Sequence, residues 1–155
     1  MAGRIETRLV ELGLALPRPS APVANYVPFA LAGSLLVVSG QLPMRDGTVA
    51  VRGKIGAAVT IEQAREACRI AFLNVLAQAK LACGGDLDRI ARVVRLGGFL
   101  ACTPEFTEHA QAMNGASDLC VAVFGEAGRH ARTTVGVASL PADAAAEVEA
   151  MFLLG

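Results

Sequence analysis

The 155 residues fit one domain, and with 54% of them hydrophobic and 18% charged the chain has enough apolar material for a core without disulfides or a structural metal. Fourteen basic residues balance fourteen acidic ones, and no run of lysine or arginine stands out. That argues against nucleic acid as a partner, because such binding draws on many phosphate contacts. The apolar excess is more than a lone small domain needs to hide, so burial at a permanent oligomer interface is expected.

Residues 4–14 set Ile5, Leu9 and Leu12 on one stripe against Glu6, Arg8 and Glu11, which predicts a short amphipathic helix limited by Gly13 and Pro17. Residues 1–18 read as an N-terminal helical extension of a single domain over 1–155. The segment 19–44 has no charge, yet prolines, glycines and Asn25 break it well short of the ~20 apolar residues of a membrane span. The basic start and cleavage site of a signal peptide are missing. Cys68, Cys83, Cys102 and Cys120 are spaced too widely for a metal knuckle or redox pair and sit in apolar runs. A soluble protein of the reducing cytoplasm is expected.

Residues 25–32 and 35–39 read as two strands joined by a tight turn at Ala32-Gly33-Ser34. After a loop through Pro43 and Gly47, Thr60 with Gln63 three residues later forms a capping box. It opens a long helix that runs to about Cys83 and stops at Gly84-Gly85. Residues 89–101, rich in Val, Ile, Leu and Phe, read as a central strand. Thr103-Pro104 offers an N-cap followed by proline, predicting a second long helix through Phe124. A connector over 125–130 leads to the closing segment. The order is α+β, a mixed β-sheet with two main helices on one face.

The closing segment alternates Arg132, Thr134, Gly136 and Ala138 with Thr133, Val135 and Val137. After a Leu-Pro-Ala-Asp turn, Glu147, Glu149 and Met151 alternate with Val148, Ala150 and Phe152. Read as a hairpin turning near Asp143, it sets Glu147 across from about Ala138 and Arg132 across from about Phe152, on the order of 20 Å apart. A site using both then lies between subunits, the arginine of one chain facing the glutamate of another. An oligomer would also cover charges that are costly on a half-buried sheet face.

Each of these residues has a plainer alternative. Arg132 suits an interface ion pair, Glu149 shares the parity of Glu147, Tyr26 suits a core, and Asn114 beside Gly115 suits a helix cap or break. His130 invites a general-base role through its near-neutral titration, against a solvated loop histidine. His109 shows no partner, and two histidines without an acid or thiol at ligand spacing make no metal site. The 47–54 segment fails the P-loop pattern at Arg52 and Ile55, and Ser39 lacks the preceding glycine of a nucleophile elbow.

Three pieces together resemble the Rid family of reactive intermediate deaminases, also known as the YjgF or liver perchloric-acid-soluble protein family. They are Tyr26 followed thirteen residues later by Ser39-Gly40-Gln41, Asn114 on the second helix, and Arg132 with Leu140-Pro141 and the Glu147-Val148-Glu149-Ala150 ending. The resemblance implies a chorismate-mutase-like fold assembled as a homotrimer, with clefts between neighbouring subunits. It further implies that Arg132 grips the carboxylate of a 2-imino acid, which is hydrolysed to a 2-keto acid and ammonia without a cofactor. A guanidinium suits that grip. Imines and enamines hydrolyse spontaneously, so the catalyst has only to orient the substrate, place a water and manage protons. On this reading Arg132, Glu147 and Tyr26 are catalytic, and Ser39, Gly40, Asn114 and Thr134 bind the small carboxylate substrate. Thr134 stands where the family frequently has a cysteine. That departure, the longer 114–132 connection and the N-terminal helix look like the family's longer branch. Two alternatives share the fold: a non-catalytic module that binds small carboxylates or regulates a partner, and the endoribonuclease with which some relatives are labelled. The balanced charge argues against the second.

Overall fold

The structure, a computed structural model, describes residues 3–22 and 24–155; Met1 and Ala2 of the 1–18 extension, and Val23, lie outside the described residues. The chain runs α1 (Arg4–Glu11), β1 (Phe29–Ala32), β2 (Leu35–Gln41), β3 (Met44–Arg45), β4 (Thr48–Val49), α2 (Ile61–Ala82), β5 (Ile90–Ala101), α3 (His109–Phe124), β6 (Ala131–Val137) and β7 (Ala146–Leu154). Five strands form one sheet in the order β1-β2-β7-β5-β6, and only β5 and β6 are parallel. The small β3–β4 hairpin lies in the stretch read from sequence as a loop.

Strand alternation gives the sheet two different faces. Leu36 and Val38 of β2, Leu96 and Leu100 of β5, and Val148, Ala150 and Phe152 of β7 are buried and form one core with Phe72, Leu76 and Met113 of the helices. Both main helices therefore pack on this face, as expected. The other face carries no helix. It presents Leu35, Val37, Phe99, Val135, Met151 and Leu153 around Glu147, Glu149 and Arg95, and Val135 and Leu153 are exposed.

The helix signals hold where they are local. Gln63 N–H donates to Thr60 Oγ1 at 3.2 Å, Thr60 N–H donates to the Gln63 side chain at 2.9 Å, and Gly84 and Gly85 end α2 with positive φ. Gly115 lets α3 cross close over α2, since a Cβ there would overlap the Arg65 carbonyl oxygen. At the start of the chain, the Asp88 carboxylate caps α1 from outside, accepting the Arg4 and Ile5 N–H groups at 2.7 and 2.9 Å. Among the described residues no helix is long and apolar enough to cross a membrane.

Two expectations are corrected, besides a first strand that begins at Phe29 rather than at residue 25. The closing segment is not a hairpin: β6 and β7 lie on opposite sides of β5, and β6 is parallel to it. The reason lies in the connections. α3 is a crossover from β5 to β6, which returns the chain in the same direction. The 138–145 stretch then pairs with the 51–53 segment, through Ala145 N–H to the Val51 carbonyl and Gly53 N–H to the Asp143 carbonyl, and delivers β7 to the far edge of β5. The second correction is the start of α3, at His109 rather than after Thr103. Thr103 N–H is taken by the Ile55 carbonyl, and Phe106 N–H closes a turn onto the Thr103 carbonyl with Pro104 at its second position.

Candidate functional site

Arg132 lies on β6, an edge strand, opposite Leu96 of β5, and so points to the helix-covered face. There α3 presents Ala110, Asn114 and Ser117, spaced four and three residues apart on one side of the helix. The Arg132 Nη1 donates to Asn114 Oδ1 at 2.8 Å and to Ser117 Oγ at 3.1 Å, and Nη2 donates to the Ala110 carbonyl at 3.5 Å. All these partners are neutral. Among the described residues no carboxylate lies within ion-pair distance of Arg132, so the guanidinium is oriented while its charge stays uncompensated. Thr134 shares this face two residues on, and its Oγ1 is buried without a hydrogen-bond partner among the described residues.

The polar chain continues past Ser117 to His130. Ser117 Oγ and His130 Nε2 are 2.8 Å apart, and His130 Nδ1 is 2.6 Å from the Gly128 carbonyl. A carbonyl only accepts, so Nδ1 carries the proton and Nε2 accepts from the Ser117 hydroxyl. Burial pushes the His130 pKa down, the hydrogen bond to the Gly128 carbonyl works against this and the nearby Arg132 charge adds to it, and the net lowering fits the neutral ring. His130 is thus half-buried and bonded at both nitrogens, not a solvated loop histidine. Sequence reading missed Ser117. Its place three residues after Asn114, on the same helix side, was the available signal.

Tyr26, Ser39, Gly40 and Glu147 gather elsewhere. β2 carries an irregularity between Val38 and Gln41, which places Ser39 and Gly40 out of the regular ladder. Ser39 N–H donates to the Pro28 carbonyl at 2.9 Å and its hydroxyl to the Val27 carbonyl at 2.7 Å, fastening the loop that bears Tyr26. Tyr26 is 49% exposed and no part of the core. It shares with Pro28, Gly40, Leu42, Met44 and Pro141 a mostly apolar cavity of about 390 Å³. Gly40 lies close against Glu147: a Cβ there would overlap the carboxylate and displace it. Glu147 is half-buried, and burial first, then the neighbouring Glu149 charge, raises its pKa. Glu149 is on the same face, but it is paired with Arg95 at 2.9 Å.

The seven sequence-predicted residues therefore fall into two groups, Arg132 with Asn114 and Thr134, and Glu147 with Gly40, Ser39 and Tyr26. Glu147 stands opposite Phe99 on β5, three residues from the Leu96 that faces Arg132. The odd offset sends the two side chains to opposite faces. The strand positions are about 10 Å apart along the sheet and about 10 Å across it. The hairpin-based pairing of Glu147 with Ala138 and Arg132 with Phe152 is wrong, but the inference drawn from it, that one chain keeps the two charges apart, survives on the correct topology.

Two further clusters hold chemistry-bearing groups. Cys102 Sγ is 3.8 Å from His109 Nε2, so His109 has a thiol partner that spacing did not show. Glu6, Asp86 and Asp88 bring three carboxylates together, with both oxygens of Asp88 engaged on the N-terminus of α1.

A family model described as "YjgF/chorismate_mutase-like, putative endoribonuclease" matches residues 6–152. The chain is 47% identical over 151 residues to protein TCP17 of Trypanosoma cruzi, covering 97% of this chain and 94% of that protein. Among solved structures it is similar to the protein Atu1372 "with unknown function" from Agrobacterium tumefaciens, at 49% identity and a TM-score of 0.92 over 98% of this chain and 93% of that one. It is also similar to a "putative endoribonuclease" from Shewanella oneidensis MR-1, at 41% identity and a TM-score of 0.94 over 97% and 99%. Sheet order, helix placement and these matches over nearly the whole length agree, and the chain belongs to the YjgF/chorismate-mutase-like, or Rid, family.

Proposed function

We propose that the protein hydrolyses 2-imino or enamine acids to 2-keto acids and ammonia, in clefts formed between the subunits of a homotrimer. The observation that carries this reading is Arg132, whose guanidinium is held in place by neutral groups and keeps its charge for an anionic ligand. A planar carboxylate is the ligand such a fork fits best. The reading gives Asn114 and Thr134 to the same end of the substrate. The other end belongs to the cavity beside Gly40, where Tyr26 forms a wall and the Gly40 N–H donates to the substrate. Glu147, with its raised pKa, positions and deprotonates the water that attacks the imine carbon.

The two groups sit on opposite faces of one sheet, so a complete site needs the Arg132 group of one chain against the Glu147 group of another. The helix-free face supports self-association, because its apolar side chains and buried-leaning carboxylates are costly to leave in water. Ammonia and keto-acid release from 2-imino acids freshly generated by an amino-acid oxidase tests the reading. Acceleration by the wild type that is lost in Arg132→Ala supports it. No acceleration with small or large side chains overturns it in favour of a carboxylate-binding or regulatory module.

A further inference from the structure

The hydrogen bonds behind Arg132 run in one direction. Arg132 Nη1 donates to Ser117 Oγ at 3.1 Å, the Ser117 hydroxyl donates to His130 Nε2 at 2.8 Å, and His130 Nδ1–H donates to the Gly128 carbonyl at 2.6 Å. The order has no alternative while His130 is neutral: the guanidinium and Nδ1–H only donate, the carbonyl only accepts, and the hydroxyl between them must do both. Gly128, His130 and Arg132 all belong to the connector and the start of β6, whereas Ser117 belongs to α3. The chain of bonds therefore ties the strand bearing the arginine to the helix that orients it.

We infer that Ser117 and His130 are positioning residues for the carboxylate anchor, acting as one relay that fixes the Arg132 guanidinium against α3 and that works only while the His130 ring can accept a hydrogen bond. This rests on the deaminase reading for the identity of the anion, but not for the geometry. Asn114 shares Nη1 with Ser117, and the remaining bond, from Nη2 to the Ala110 carbonyl, is long at 3.5 Å, so without Ser117 the fork is held by one short bond and one long one. Protonation of His130 turns Nε2 into a donor. The Ser117 hydroxyl then loses its acceptor, and a second positive charge stands beside Arg132. The charged groups on the elements around the ring are Arg132 of β6, the Glu126–Arg129 pair of the connector, Arg92 of β5 on the Arg129 carbonyl, and the Arg65–Asp118 pair between α2 and α3. Of these, Arg132 is the group whose charge acts on His130.

The test uses the full chain, with two readouts: KM and kcat for oxidase-generated imino acids, and equilibrium binding of pyruvate and 4-methyl-2-oxopentanoate by titration calorimetry. Ser117→Ala and His130→Ala should each raise KM and the keto-acid Kd roughly tenfold with kcat within about twofold, at an unchanged fold by circular dichroism. The double variant should be no worse than either single one, because both break the same relay. His130→Gln, which keeps an uncharged acceptor near Nε2, should restore KM and flatten the rise in KM that the wild type shows as pH falls. Wild-type KM values in Ser117→Ala and His130→Ala, with turnover still lost in Arg132→Ala, would overturn the inference and leave the deaminase reading standing. Keto-acid binding weakened by the relay variants in a protein that hydrolyses no imine would do the reverse. A wild type that neither turns over imines nor binds either keto acid would remove both.

Discussion

The two halves of the candidate site are built in opposite ways. Arg132 is half-buried at an edge strand and locked by the hydrogen bonds it donates to Asn114, Ser117 and the Ala110 carbonyl. Glu147 lies mid-sheet against a glycine that gives it room, and its surroundings work against its charge rather than for it. A group meant to hold an anion gains from rigid, neutral supports that leave its charge free. A group meant to exchange a proton gains from an environment that brings its pKa toward the working pH. On the proposed reading, the contrast suits one half to anchoring and the other to proton chemistry.

Deleting each half in turn separates the two roles. Arg132→Ala should lower kcat/KM for imino-acid hydrolysis by roughly 10³-fold, with the fold retained, since its partners are neutral and are left without a buried unpaired charge. A loss confined to stability would mean that Arg132 is structural. Glu147→Gln should lower kcat by about 10²-fold with little change in KM. The same variant has a second signature. Because the folded state raises the pKa of Glu147, its ionised form opposes folding above that pKa and the penalty disappears as pH falls through it. Glu147→Gln should therefore raise Tm at pH 7, and the gain should shrink as the pH is lowered into the carboxylate range. A lower Tm at pH 7 would show that the carboxylate is satisfied and that its environment has been misread.

Gly40→Ala perturbs the Glu147 half without touching a charge. The added Cβ would overlap the Glu147 carboxylate, so kcat should fall about tenfold through misplacement while carboxylate binding at Arg132 stays intact. The smallest effect belongs to a region outside both halves. Asp88→Ala removes the cap on α1 and should cost about 1 kcal/mol, read as faster hydrogen exchange in residues 4–11 with kcat unchanged. The Arg4 and Ile5 N–H groups hold the Asp88 pKa below its usual value. The stabilisation is thus fully present above that usual value and is lost as pH falls through the depressed one.

What was legible in the sequence was local. The Thr60–Gln63 capping box, the glycine stop of α2 and the shared parity of Glu147 and Glu149 each depend on neighbours within a few residues, and each stands in the structure. The parity of Arg132 was legible for the same reason. What escaped was partner choice. Two alternating runs joined by a turn satisfy every local rule for a hairpin, and nothing in them reveals that β5 inserts between them. The pairing follows from the α3 crossover and from the 138–145 stretch binding the 51–53 segment, both long-range events. The same limit hid the relay. His130 and Asn114 were visible as candidates, but Ser117 becomes meaningful only once α3 is laid across β6.

On the proposed reading, a working site takes Arg132 from one chain and Glu147 from its neighbour. Subunit complementation tests it most directly: inactive Arg132→Ala and inactive Glu147→Gln are mixed one to one, unfolded, refolded together and assayed. Random assembly of a trimer with shared clefts places both intact residues together in about one quarter of the sites, so roughly a quarter of wild-type imine hydrolysis should return. A mixture that is well assembled and as inactive as its parents would contradict the account.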